Sequence, residues 1–266
     1  SKWLEVLQYA KSLNLKVLAL PLNIPSIEFC QKNDSLIDAY EIHSTCLNEY
    51  PLIEKLKNSE KKIIFGVGGR LKDELDFAIN TIIVNKKNLV LMIGIQSFPT
   101  DVTKVNLGKI RSYFDLYDCT VGYADHTDYN ENFFHNMNEY AYLLGARIFE
   151  KHIVLEKGTK RIDYESGIEK QDFLQMRKRL DRLVNILGNT EIDLLNENEI
   201  RYRNREKQIV AAKEIKAGQT IKIEDLAYKI SPDRSEFEQK DFFKIVGEKV
   251  ALKIPMDCAI KSKHIK

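Results

Sequence analysis

Thr120-Val-Gly-Tyr-Ala-Asp125-His126-Thr127, followed by Gly145-Ala-Arg-Ile-Phe-Glu150-Lys151-His152, is the stretch on which the fold turns. Each half is a short apolar strand that ends in polar residues, and residues 130–144 between them place apolar side chains every three or four positions, as an amphipathic helix does. A strand, a helix and a second strand make a βα unit of a parallel sheet. The same alternation runs outward in both directions from Trp3 to about Gly188. It predicts strands over Lys16–Leu22, Ala39–Ser44, Lys62–Val67, Leu89–Ile95, Thr120–Asp125 and Ala146–Val154. Helices are expected over Tyr50–Asn58, Leu71–Ile83, Asn130–Leu144 and Lys170–Leu187. Strands this apolar on both faces need helices on both sides of a sheet or around a closed barrel. The fold class is therefore α/β.

After Gly188 the composition changes. Residues 189–206 are rich in Asn, Glu and Arg and read as a polar connector between domains. Residues 207–266 lose the helical period and become short strands with Gly and Pro turns. Within them Val210-Ala211-Ala212-Lys213 with Ile215, Gly218 and Ile221 is echoed by Val250-Ala251-Leu252-Lys253 with Ile254, Asp257 and Ile260. Two similar hairpin-like units are expected. The domains are thus 1–188, a connector 189–206 and a small β domain 207–266.

Composition narrows the function. The chain has 266 residues with 41 basic and 39 acidic side chains, a formal charge of +2. That leaves no excess to recruit a phosphate backbone or an acidic bilayer, so neither nucleic acid nor a membrane is an expected partner. No apolar run approaches the roughly 20 residues that span a bilayer, and Ser1-Lys2-Trp3 opens no apolar signal core. A cytoplasmic protein is expected. Cys30, Cys46, Cys119 and Cys258 lack CxxC spacing and read as reduced packing residues.

The candidate chemistry sits at the strand ends, where parallel α/β folds place their sites. His126 and His152 each follow an apolar strand, and Glu150 lies two residues before His152, on the same side of its strand. Two imidazoles and a carboxylate suit a divalent metal such as manganese or zinc. A strand-end histidine taken alone is also a common hydrogen-bonded packing residue. Gly66-Val67-Gly68-Gly69-Arg70 lacks the spacing of the phosphate-binding fingerprints and reads as a tight βα turn. His43 offers either a ligand contact or a packed or surface ring, and His135 and His264 read as solvated.

These motifs and their separation resemble the N-acetylneuraminate (sialic acid) synthase family. The similarity extends through Ala19-Leu20-Pro21-Leu22, Tyr40-Glu41-Ile42-His43-Ser44, Tyr50-Pro51-Leu52-Ile53, Phe98-Pro99-Thr100, Val105-Asn106-Leu107, and Asp163 with Ser166. The segment from Ile209 to Gln219, with Glu224-Asp225-Leu226, is similar to the antifreeze-like SAF domain, of the β-clip type, that follows the barrel in that family. The resemblance implies a (β/α)8 TIM-type barrel whose first βα units are missing from this chain. It implies condensation of phosphoenolpyruvate with an N-acetylhexosamine to give a nonulosonic acid and phosphate. It also implies a manganese or magnesium ion on His126 and His152, Glu150 beside the metal as a catalytic residue with Asp125, and substrate contacts at Ser44 and Gln96. A homodimer with the SAF domain over the partner barrel is the implied assembly.

Several donor-site positions depart from the family. Glu41 stands where the family has a phosphate-binding lysine, and Cys46 where it has a glutamate. Leu20, Gly66 and Ala124 replace hydroxyl residues, and Gln96 replaces an asparagine. Ile230 replaces the SAF arginine, for which Arg234 is the nearby substitute. The metal half is retained and the phosphoenolpyruvate half is largely replaced. Two readings follow: a synthase-like enzyme, or a catalytically degenerate paralogue that binds a sugar acid or serves assembly.

Overall fold

The computed structural model describes residues 1–82, 86–97 and 100–265. Phe98 and Pro99 of the quoted motif, and the expected helix end at Ile83, lie outside them. The chain divides into two compact units, Ser1–Gly188 and Asn189–Lys266.

The first unit contains β1 (Leu18–Ala19), β2 (Ala39–Ile42), β3 (Lys62–Gly66), β4 (Leu89–Ile93), β5 (Thr120–Asp125) and β6 (Ile148–Lys151). All five neighbouring pairs are parallel, and the spatial order is the chain order, β1 to β6. This settles what periodicity left open. When every crossover is right-handed and every step goes the same way, the helices fall on one face of the sheet, and the other face is buried only by curling toward a barrel. The helices are α1 (Lys2–Ser12), α2 (Ile24–Lys32), α3 (Tyr50–Glu54), α4 (Lys72–Ile82), α5 (Lys109–Tyr117), α6 (Phe134–Leu143) and α7 (Lys170–Leu187). The strands are shorter than the apolar runs that announce them. β1 keeps two residues, because Leu20 and Leu22 stand exposed beyond it.

The alternation of a strand sorts side chains into two layers. Tyr40, Ile42, Ile63, Phe65, Leu89, Leu91, Ile93, Val121 and Tyr123 join the helices in the main core. Ile64, Val90, Met92 and Ala124, with Ile148 against them, form a separate cluster on the opposite, inner face. Residues of one strand thus serve either packing or the interior. Backbone approach is tight at the strand ends: a Cβ on Gly68 would stand 1.9 Å from the carbonyl oxygen of Gly94. Gly69 adopts φ +73°, and Arg70 donates to the Ser44 carbonyl and to Glu74, so the glycine-rich segment is a turn locked by its own arginine.

In the second unit part of the expected connector is helical. Asn196 caps α8 (Glu197–Arg203) with a reciprocal Asn196/Glu199 box, and acidic residues at its start face basic ones at its end. Antiparallel β7 (Gln208–Ala211) and β8 (Leu226–Lys229) follow. The internal echo has a structural counterpart. Ile215 and Ile254 exchange backbone hydrogen bonds at 2.9 Å, and Gly218 and Asp257 both take positive φ. Ile221 and Ile260 enter one core with Ile209, Ile215, Val250 and Ile254. His264 is buried rather than solvated: it closes a capping box in which its Nδ1 accepts from the Lys261 N–H.

Candidate metal centre

β5 and β6 are adjacent, with Ala124 opposite Glu150 in their register. Two residues beyond Ala124 and Glu150 come His126 and His152, and the alternation that puts Ala124 on the inner face puts all three polar residues there too. The backbone then stops each strand in place. Thr100 and Thr127 form a parallel bridge, and Ile168 donates to the His152 carbonyl while Val154 donates to Ile168.

His126, Glu150 and His152 offer ligand atoms that all lie within 4.8 Å of one another. His126 Nε2 is 3.9 Å from Glu150 Oε1, and the two imidazole centroids are 5.1 Å apart. With metal–ligand bonds of about 2.0–2.2 Å, two ligands on one cation stand at most roughly 4.4 Å apart, so the spacing fits one ion. The protonation states fit as well. Burial, and then the neighbouring His152, hold His126 down to about 4, which keeps the ring neutral near pH 7. The Gln96 side-chain nitrogen lies 3.2 Å from His126 Nε2, at the mouth of the cluster. His152 Nε2 is buried without a hydrogen-bond partner among the described residues, 3.9 Å from Asp163 Oδ2. Burial raises Glu150, an effect that His152 and His43 oppose. Two imidazoles and a carboxylate converging on one point are a donor set for a divalent metal.

The other expected site residues are distributed differently. Asp125 is not in this cluster. It lies between inner-face neighbours on β5 and turns toward the helices, where its carboxylate accepts from Thr127, Asn138 and Lys151. The Lys151 ammonium is 3.2 Å from it, with both side chains almost fully buried, so this pair holds the β5 and β6 ends together. Ser44 heads the turn after β2, and its carbonyl is bound by Arg70. Arg234 belongs to the second unit, where it donates to the Asn204 carbonyl.

One residue gains weight that its sequence position alone does not convey. Glu41 is 5% exposed on β2, between Tyr40 and Ile42 of the main core, and so faces the interior. Burial, and then the nearby Glu150, push its carboxyl up to about 8. Glu41 therefore brings to the inner face an acid that keeps its proton toward neutral pH. Asp163, quoted above only as part of the resemblance, is a neighbour of His152.

Residues 1–192 match the NeuB family. An uncharacterised protein of Methanocaldococcus jannaschii is 27% identical over 85% of this chain and 65% of its own length. The N,N'-diacetyllegionaminic acid synthase of Campylobacter jejuni is 26% identical over 81% of this chain and 63% of its own. The chain thus spans somewhat under two thirds of the length of these curated relatives. Among solved structures, a putative spore coat polysaccharide biosynthesis protein E from Chromobacterium violaceum superposes with a TM-score of 0.84 at 19% identity, covering 98% of this chain and 77% of that one. The described residues contain no helix long and apolar enough to cross a membrane. With the family match running through β1 to β6 and both strand-end histidines, the chain belongs to the NeuB family.

Proposed function

We propose that this chain is a sugar-acid-synthase-like protein that keeps the metal-binding, acceptor-sugar half of the site and has replaced the phosphoenolpyruvate half. The carrying observation is the convergence of His126, Glu150 and His152 within 4.8 Å on the inner face. His126 and His152 would hold a manganese or magnesium ion, with Glu150 beside it. When bound, such an ion supplies Lewis-acid polarisation of the acceptor sugar's aldehyde. The chain's own residues prepare the place. Gln96 and the Ala124 backbone orient His126, Asp163 flanks His152, and the Asp125–Lys151 pair anchors both strand ends from behind. An N-acetylhexosamine acceptor is supported by the family and by a relative that makes a related sugar acid.

Charge decides the donor half. Phosphoenolpyruvate brings about three negative charges, and a desolvated site must meet them with cations. Glu41 offers a carboxyl beside Glu150 in the place of a lysine. We therefore infer that this chain turns over phosphoenolpyruvate with N-acetylmannosamine poorly or not at all. This favours the second reading, a binding or assembly paralogue, over an ordinary synthase. Residues 207–266 are read as the SAF domain, which in a homodimer would cap the partner's barrel in the cytoplasm. Support comes from the order of the two units and the paired Ile215/Ile254 repeat. The test is manganese calorimetry together with a phosphate-release assay run beside an intact family enzyme. Manganese binding that vanishes in His152→Ala supports the metal half, and no binding in the unmodified chain overturns it. Turnover comparable to the intact enzyme overturns the donor half.

A further inference from the structure

We propose that Lys151, acting through Asp125 and Thr127, is the positioning residue that sets the separation of His126 from Glu150 and His152. The inference rests on the reading of that cluster as a metal site and deepens it by assigning what keeps the three ligands in register. The need for such a residue comes from where the sheet stops. Backbone pairing of β5 with β6 ends with Asp125 opposite Lys151. His126 and His152 each come one residue later, past the last pair of the two strands. Beyond that point each chain is bridged to a different element, Thr127 to Thr100 and Ile153 to Ile168. The ladder therefore does not fix the distance from one imidazole to the other.

A ring of side-chain bonds takes over on the face away from the cluster. Asp125 Oδ1 accepts from the Thr127 N–H at 3.0 Å and from the Thr127 hydroxyl at 2.6 Å, which closes a turn with His126 at its centre. The Lys151 ammonium lies 3.2 Å from Asp125 Oδ2 and donates to the Thr127 carbonyl at 3.2 Å. One ammonium thus holds the residues on both sides of His126, while its own backbone carries Glu150 on one side and His152 on the other. No ligand of the cluster is more than one residue from a member of this ring.

The ring is built to hold rather than to react. Asn138 on α6 donates to Asp125 Oδ2 at 3.1 Å, and the Asp125 and Lys151 side chains are 0% and 1% exposed. With two bonds from Thr127, one from Asn138 and one from Lys151, the roughly four lone-pair sites of the carboxylate are taken, and none is left for a substrate proton. Asn138 leaves its own Oδ1 without a hydrogen-bond partner among the described residues, so its amide is oriented by Asp125. Asp125 and Lys151 then act on the site only through the backbone that carries the ligands.

The experiment measures Mn2+ affinity by calorimetry and stability by urea unfolding with chelator, both on the full chain. Asp125→Asn combined with Lys151→Met removes the crosslink and both of its charges, and the Asn138 carbonyl can turn to meet the new amide. Stability should recover relative to Lys151→Met alone, which leaves a buried carboxylate unpaired. The double variant should nevertheless bind Mn2+ about 10–100-fold more weakly than the unmodified chain. As a comparison, Glu139→Gln with Arg179→Met breaks the doubly bonded ion pair between α6 and α7, which touches no ligand of the cluster; it should leave the affinity within about threefold. Thr127→Val removes one bond of the ring and no charge, and should lower the affinity several-fold. Affinity in the double variant equal to that of the comparison pair overturns the positioning role and leaves the metal site standing. If the double variant does not fold, unchanged affinity in Thr127→Val overturns it. No Mn2+ binding by the unmodified chain overturns both readings.

Discussion

Glu41→Gln should remove a pH-dependent weakness from the first unit, and the structure sets its size. The carboxyl moves from an ordinary 4.5 to about 8 on folding, because burial and then Glu150 disfavour its charge. Between those values the folded state holds a proton that the unfolded state has released. Stability must therefore fall as pH rises through this window, by about 1.4 kcal/mol per pH unit and about 5 kcal/mol in all. His126 works in the opposite sense. Its imidazole drops from 6.5 to about 4, so the unfolded chain binds more protons there and stability rises with pH over that range. The two effects overlap below pH 6.5, which leaves pH 6.5 to 8 as the interval where Glu41 acts without that opposition. There the unmodified chain should lose about 2 kcal/mol relative to Glu41→Gln, equivalent to roughly 4–8 °C in the melting temperature of a unit this size. Urea unfolding followed by circular dichroism, with chelator present to exclude metal, reads the difference. Parallel stability profiles for the two proteins from pH 6.5 to 8 would refute the placement of a desolvated Glu41 beside Glu150.

Asp125→Ala should cost about 3–5 kcal/mol in urea unfolding, since it leaves the Lys151 ammonium buried without its counter-charge; a loss under 1 kcal/mol would mean that the pair is not desolvated. Gly68→Ala should destabilise by about 1–3 kcal/mol or more, because the new methyl meets the fixed Gly94 carbonyl, and a neutral result would contradict that close approach. His126→Ala and His152→Ala should each weaken manganese binding at least about tenfold with the fold retained, whereas His135→Ala, on α6, should leave the affinity unchanged. In the second unit Ile254→Ala should cost about 2–5 kcal/mol, because Ile254 is fully buried at the centre of that core.

The six βα units, the break after Gly188 and the histidines at the strand ends were legible in the sequence, because each is a local property. A strand shows itself by a period of two and apolar runs, a helix by a period near 3.6, and a strand-end residue by where the run stops. The repeat of the second unit was also legible, including the pairing of Gly218 with Asp257, although their shared left-handed backbone came only with the structure. Which face of the sheet each side chain serves was determined only by tertiary structure. Asp125 and His126 are neighbours in the chain, yet one binds Lys151 toward the helices and the other meets Glu150 in the interior. His264 shows the same limit, since a residue near the end of the chain is solvated or buried according to what folds over it. Most of all, Glu41 and Glu150 lie on β2 and β6, more than a hundred residues apart, and nothing local announces that they share one space. Strand periodicity dictates that a side chain leaves one face or the other, but the energy of a buried charge depends on what stands across the interior, and only the spatial order and curl of the strands decide that.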